Sequence, residues 1–274
     1  MRFALISSEL DPASQNIKYR LLERTVHSEC GLFDNNPVFS INGLEANVYT
    51  LKSELVNREN LSSQIDADFF IFMSRHKSSS AIPSLSVHAT GNWGEACLGG
   101  IPRRLSLSDA SFLKQALIIM SKLNRNSSYD VIQECTHHGP FIDKPHMFIE
   151  IGSDEERWRD TEAASVISEV ILRIMSEEVP KCRTAIGIGG LHTLTNFKKV
   201  ILNSEYGISH ACPKYALSNL NLDMLQEAFS KSVPRPEAII LDWKGLGPEK
   251  ERVSKIASQF ASEKGLKLLR TSDF

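Results

Sequence analysis

The chain has 274 residues and carries 31 Lys+Arg against 33 Asp+Glu, a formal net charge of −2. Hydrophobic residues at 42% and charged residues at 23% match a globular domain, which excludes a disordered or fibrous chain. The charge balance excludes a basic nucleic-acid coat but leaves room for a local basic patch.

In chain order, Arg2–Ser7 is a short β-type run, and Ile17, Leu21 and Leu22 share one face of a helix over Ser14–Arg24. Val38–Ile41 and Val48–Leu51 flank Asn42-Gly43, a hairpin signal. Phe69–Met73 (FFIFM) is a continuous apolar run, as expected of a strand covered on both faces. A helix over Ser108–Leu123, capped by Ser108, places Phe112, Leu113, Ala116, Leu117, Met120 and Leu123 at spacings of three and four. The polar stretch Leu123–Ser128 reads as a loop. Strands over Tyr129–Thr136 and Met147–Ile151 precede a helix over Trp158–Met175, closed by Pro180. Strands at Ala185–Ile188, Ile208–Cys212 and Ala238–Leu241 alternate with helices at Thr195–Leu202 and Leu222–Phe229. A last helix, Glu249–Ala261, leads to Leu266–Leu269. This alternation predicts an α/β fold, a mixed and mostly parallel sheet with helices on both faces. With no repeat or long linker, one domain over residues 1–274 is expected.

The opening MRFALISSEL lacks the basic segment, apolar core and cleavage site of a secretory signal. The longest candidate for a membrane span, Ala116–Met120, falls far short of the roughly 20 apolar residues required. Five scattered cysteines without a CxxC argue against a disulfide framework or a thiolate zinc knuckle. A soluble, cytoplasmic protein without a membrane partner is expected, and no obligate protein partner is evident.

Histidine carries the chemical signal. Of eight, His76, His88, His137, His138, His192 and His210 fall at or near the ends of inferred strands, where ligand sites of α/β sheets gather. The run Phe69–Met73 ends abruptly in Ser74, Arg75 and His76. In Ser86–Trp93, His88 and Thr90 lie two residues apart on one face, ahead of a turn at Gly91 and Asn92. In Gln133–Pro140, Glu134, Thr136 and His138 face one way and His137 the other for as long as the chain stays extended. A break at Gly139-Pro140 can bring both histidines into one pocket. A histidine pair and a carboxylate at such a break suit metal ligation or acid–base work. Glu150 interrupts an apolar strand and needs a cationic, metal or hydrogen-bonding partner. Gly189 and Gly190, in Gly187–His192, permit close backbone approach and offer N–H groups to an anion, but not with dinucleotide-fingerprint spacing. No GxSxG elbow, GxxxxGK[ST] loop or HExxH helix is present.

Taken together, SRH (Ser74–His76), HATGNWG (His88–Gly94), ECTHHGP (Glu134–Pro140), FIEIGS (Phe148–Ser153), GIGGLH (Gly187–His192) and H-x-x-PKYAL (His210–Leu217) resemble the archaeal and plant type of D-aminoacyl-tRNA deacylase. The similarity spans nearly the whole chain and departs from the family pattern after His192, where Thr193, Leu194 and Thr195 stand in place of Tyr, Ala and Pro. The resemblance implies a phosphorylase/hydrolase-like fold. It also implies a zinc-associated hydrolase that cleaves the ester between a D-amino acid and the 3′-terminal ribose of tRNA, recycling mischarged tRNA. It places zinc among His88, His138, His192 and Glu134. The reacting groups would be drawn from His137, His138, Glu134 and Glu150, with Arg75 on the oxyanion or terminal phosphate. Substrate contacts would come from His76, Thr90, Asn92, Gly189, Gly190, His210 and Lys214. Arg103-Arg104, Lys198-Lys199 and Lys214 are candidate phosphate contacts. The competing readings are an esterase acting on peptidyl-tRNA and a metal-stabilised, non-catalytic RNA-binding module.

Overall fold

The computed structural model describes residues 1–124 and 128–274, so the middle of the expected loop at Leu123–Ser128 lies outside the described residues. The first half runs β1 (Phe3–Ser8), α1 (Pro12–Glu23), β2 (His27–Phe33), β3 (Asn36–Ile41), β4 (Ala46–Leu51), α2 (Leu61–Gln64), β5 (Phe69–Lys77), β6 (Ser84–His88), β7 (Ser108–Asp109) and α3 (Ala110–Leu123). Next come β8 (Asp130–Gln133), β9 (His146–Ser153), α4 (Glu155–Trp158), α5 (Thr161–Ser176) and β10 (Arg183–Ile188). The chain continues with α6 (Lys198–Asn203), β11 (Tyr206–Cys212), α7 (Leu222–Ser230), β12 (Ser232–Val233), β13 (Ala238–Leu241), α8 (Lys250–Lys264) and β14 (Lys267–Arg270).

These strands form a mixed, mostly parallel α/β fold, with the strands divided between sheets. An eight-stranded sheet has the order β2-β3-β4-β1-β5-β9-β6-β8, and a four-stranded one the order β11-β10-β13-β14. Alternation across β5 explains its apolar run: Phe69, Ile71 and Met73 join the core beneath α1, α3 and α5, whereas Phe70 and Phe72 pack on the opposite face with Ile6, Leu61 and Phe148. β10 and β13 likewise divide between two cores, Ala185 and Ile240 on one side, Ile186 and Ile239 on the other. Both faces of the smaller parallel sheet are therefore covered at its centre, as the all-apolar β13 requires.

Several boundaries differ from the sequence expectation for identifiable reasons. Ser108 does not cap α3: it pairs in a short ladder with Ser232, and Asp109 accepts from the Ser111 and Phe112 amides instead. The helix expected over Trp158–Met175 is interrupted because the Asp160 side chain caps a new start at Glu162 and Ala163. The segment expected to be helical over Thr195–Leu202 opens with a 3₁₀ turn at Thr195–Phe197 before α6. β2 was not anticipated, and its burial pattern shows why, with six exposed residues and one half-buried. Among the described residues no helix is long and apolar enough to cross a membrane.

Candidate active site

The site lies over β9, inside the larger sheet, beside the junction that the chain after β8 makes with the smaller one. Phe148, Glu150 and Gly152 share one face of that strand by its two-residue repeat. On one flank β5 sets Ser74 opposite Glu150 and His76 opposite Gly152. On the other, β6 sets Ser86 opposite Glu150 and His88 opposite Phe148. Beyond β8 the chain from Gln133 to Thr136 bridges the sheets: Gln133 Nε2 donates to Ile208 O, Cys135 N to His192 O and Thr136 N to Ala211 O. These bonds bring Glu134, His137 and His138 to His192 from the smaller sheet.

Two carboxylates and five histidines result; His76, His137, His138, His192 and Glu150 line a cavity of about 460 Å³ together with Asp11, Glu54 and Arg75, and Glu134 and His88 are buried behind them. Glu134 Oε2 is 2.8 Å from His192 Nε2, and Glu134 Oε1 is 3.1 Å from His76 Nδ1. Glu150 is held more loosely, 3.7 Å from His76 Nδ1 and 3.6 Å from His88 Nε2. The rings of His137 and His138 lie with centroids 4.3 Å apart, and that of His88 lies 4.3 Å and 4.9 Å from them. The chain break expected after this pair is present, and His138 takes φ +42°, which turns its side chain beside that of His137.

Three imidazoles share one arrangement. His88 Nδ1 faces Ala89 O at 3.1 Å, His137 Nδ1 faces Cys135 O at 2.8 Å and His138 Nδ1 faces Gly139 O at 2.5 Å. A carbonyl only accepts, so each Nδ1 carries a proton. His88 Nε2 is buried without a hydrogen-bond partner.

Burial and the neighbouring His88 hold His138 down to about 4, and burial with His88 and His138 holds His137 well below the ordinary imidazole range. The other two histidines behave oppositely. Burial opposes charge on His76, but Glu134 and Glu150 outweigh it and raise the ring to about 10. Burial likewise opposes His192, while Cys135 and Glu134 raise it to about 11. Burial alone would raise both carboxyls, yet Glu134 stays well below its usual range through His192 and His76, and Glu150 below it through His76 and His88. The centre thus combines ionised carboxylates, two protonated rings and neutral rings.

A divalent metal fits this donor set. His88, His137 and His138 form one group with ligand atoms within 4.8 Å of one another; His76, Glu134 and His192 form a second, and His88, Glu134 and Glu150 a third. Nδ1–H tied to a backbone carbonyl is the orienting contact that metal-binding histidines make, and an orphaned buried Nε2 is the atom such an ion would satisfy. The quartet His88, His138, His192 and Glu134 expected from the sequence is not one group: His137 stands with His88 and His138, and His192 is bonded to Glu134 instead.

Other expected contacts sit elsewhere. Thr90 is fully buried, with its hydroxyl 2.7 Å from His146 Nε2 and 2.8 Å from Pro140 O. Asn92 Nδ2 braces Gly99 O. His210 is fully buried between the Thr136 hydroxyl and Lys231 O. Gly189, φ +93°, donates its N–H to Cys212 O, and a Cβ on Gly190, φ +85°, would meet Asp242 Oδ2 at 3.1 Å, so this loop closes on the protein and forms no open anion cradle. Lys214 is exposed, its side chain beside Gly247. Arg75 lines the cavity, with its guanidinium bonded to Leu10 O and Glu54. Sequence reasoning missed Cys135 and Tyr215, whose Sγ and hydroxyl lie 3.5 Å and 3.2 Å from His192 Nδ1. It also missed Asp11, which accepts from the Arg75 amide and is pushed up to about 6, chiefly by burial.

The mixed α/β scaffold and this preformed, water-accessible set of acids and imidazoles define a hydrolase. Residues 63–267 match the family model described as D-aminoacyl-tRNA deacylase. A D-aminoacyl-tRNA deacylase of Pyrococcus furiosus is 35% identical, the match covering 97% of this chain and 98% of that protein. One from Archaeoglobus fulgidus is 32% identical over 97% and 95% respectively. The crystal structure of the conserved protein of unknown function AF0625 superposes with a TM-score of 0.91 at 30% identity, covering 99% of this chain and 96% of the other. The chain belongs to the D-aminoacyl-tRNA deacylase family.

Proposed function

We propose that the chain hydrolyses the ester joining a D-amino acid to the 3′-terminal ribose of tRNA, a metal-dependent reaction that returns mischarged tRNA to use. The observation that carries this reading is the meeting of Glu134, Glu150 and five histidines in one cluster, open to a cavity through His76, His137, His138, His192 and Glu150. In this reading zinc is held by His88, His137 and His138, with Glu134 beside them. Bound there, zinc supplies Lewis-acid polarisation of the ester or of water. His76 and His192 grip Glu134 and fix its orientation. Glu150, whose contacts are 3.6 Å and longer, retains accepting capacity and takes the proton of the attacking water. The water oxygen bonds to the carbonyl carbon, the bond to the ribose oxygen breaks, and that oxygen receives the proton. Arg75 adds positive charge to the cavity wall.

The test is release of D-tyrosine from D-tyrosyl-tRNA, compared with hydrolysis of an N-acylated L-aminoacyl-tRNA, before and after chelation and after zinc return. Activity on the D-ester that disappears with chelator and returns with zinc is expected. Preference for the N-acylated L-ester would shift the substrate to peptidyl-tRNA, and full activity after demonstrated metal removal would remove zinc from the mechanism.

A further inference from the structure

We propose that a second cavity, of about 590 Å³ at the open end of the four-stranded sheet, seats backbone phosphates of the tRNA; this rests on the tRNA-ester reading above. β10, β13 and β14 run parallel, so their C-terminal ends at Ile188, Leu241 and Arg270 lie along one edge, and the crevice beyond such an edge is where open parallel sheets take ligands. Its wall carries four cations, Lys198, Lys199, Lys244 and Arg270.

Lys198, Lys244 and Arg270 are paired with no carboxylate among the described residues, and only Lys199 is held, by the last residue. Lys199 Nζ donates to Phe274 O, and the Arg270 guanidinium lies 4.1 Å over the Trp243 ring. Among the described residues none of the four has a side-chain carboxylate within ion-pair distance. The one carboxylate in the wall, Asp242, is 2% exposed and accepts from Asn196 Nδ2 and Gly245 N. Arg104 presents the opposite case, bound to Glu227 at 2.8 Å. Unneutralised positive charge concentrated on a chain of net charge −2 selects a polyanion. Arg270 covers a face of Trp243, so the ring orients a cation and does not serve as a base-stacking platform.

Position supports the same occupant. Thr195 lines this cavity and follows His192, in the ester-cleaving site, by three residues. Three residues span at most about 11 Å. In the proposed pose a chain with its terminal ribose among the histidines runs toward Thr195, with its next phosphates near Lys198 and Lys199.

The test is the triple substitution Lys198→Ala, Lys199→Ala, Lys244→Ala, none of which touches the histidine cluster. On D-tyrosyl-tRNA we expect KM to rise at least about tenfold with kcat within about twofold, and the salt slope of log(kcat/KM) to shrink by about two. Hydrolysis of D-tyrosyl-adenosine, which has the ester but no phosphate, should be unchanged. Binding of uncharged tRNA, followed by fluorescence anisotropy, should weaken by the same factor as KM. Unchanged tRNA affinity, equal loss on both esters, or AMP bound in this cavity while tRNA binding ignores the lysines would overturn the proposal. Because the binding measurement needs no turnover, a wild-type protein inactive on D-tyrosyl-tRNA would defeat the ester reading while leaving the cavity to be judged by tRNA affinity.

Discussion

Thr90 shows how a single side chain can belong to a signature without touching the reaction. Its spacing from His88 is that of a shared strand face, but β6 stops at His88 and Thr90 turns into the protein. There its hydroxyl lies 2.8 Å from Pro140 O and 2.7 Å from His146 Nε2, whose ring Nδ1 faces Lys144 O at 3.0 Å. Thr90→Val keeps the volume, removes that hydroxyl and leaves a buried imidazole nitrogen unpaired. The expected cost is about 1–3 kcal/mol of stability, with kcat/KM within about threefold of wild type. Urea unfolding and deacylation of D-tyrosyl-tRNA measure the two; a hundredfold fall in kcat/KM at unchanged stability would return Thr90 to the substrate contacts. Sequence logic found the histidines because six of them punctuate apolar strands. It could not separate His210 or Thr90 from them, because whether a polar group faces a cavity or a buried partner depends on distant chain.

At the scale of elements, β5 and β9 explain how two motifs separated by more than 70 residues form one site. Their parallel register sets Gly152 against His76. A Cβ on Gly152 would lie 2.4 Å from Ser84 Oγ and 2.9 Å from His76 Cδ2, closer than atoms pack. Gly152→Ala must therefore move His76 off Glu134, and a displacement of about 1 Å in such a centre costs on the order of a hundredfold in rate. A fall in kcat/KM of at least tenfold, with the far-ultraviolet circular dichroism spectrum kept, is expected; full activity would mean that His76 need not hold its place. The strands themselves were legible wherever burial imposed a pattern. Ala238–Leu241 has the bounds expected from its sequence, and Phe69–Met73 was seen only as far as its apolar part, although hydrogen bonding to β9 carries β5 on to Lys77. β2, with exposed polar residues and a bulge between Glu29 and Gly31, gives no alternation to read. The meeting of Cys135, His192 and Tyr215 was equally invisible, since it depends on how the two sheets dock.

For the whole molecule, the join between the sheets depends on neutral histidines. His210, on the smaller sheet, sits between Thr136, whose N–H bonds back to Ala211 O, and Lys231; His146, at the start of β9, packs on Phe72 and meets the Thr90 hydroxyl. Burial lowers each to about 4 from an ordinary 6.5. Below pH 6.5 the unfolded chain takes up protons that the folded chain refuses, so this stability is complete above pH 6.5 and is lost as pH falls toward 4. Asp11 acts the other way: raised to about 6 from 3.8, it binds a proton in the folded state first and favours folding as pH falls through 6. Between pH 7 and 5 the two histidines together cost about 4 kcal/mol and Asp11 returns about 1, so these three groups lose about 2–3 kcal/mol. Urea unfolding of the metal-free protein at pH 7, 6 and 5, compared with that of the His146→Gln, His210→Gln variant, isolates the histidine part of this slope. An unfolding free energy that falls no more steeply than the variant's across that interval would mean that His146 and His210 accept protons without disrupting the contacts that join the sheets.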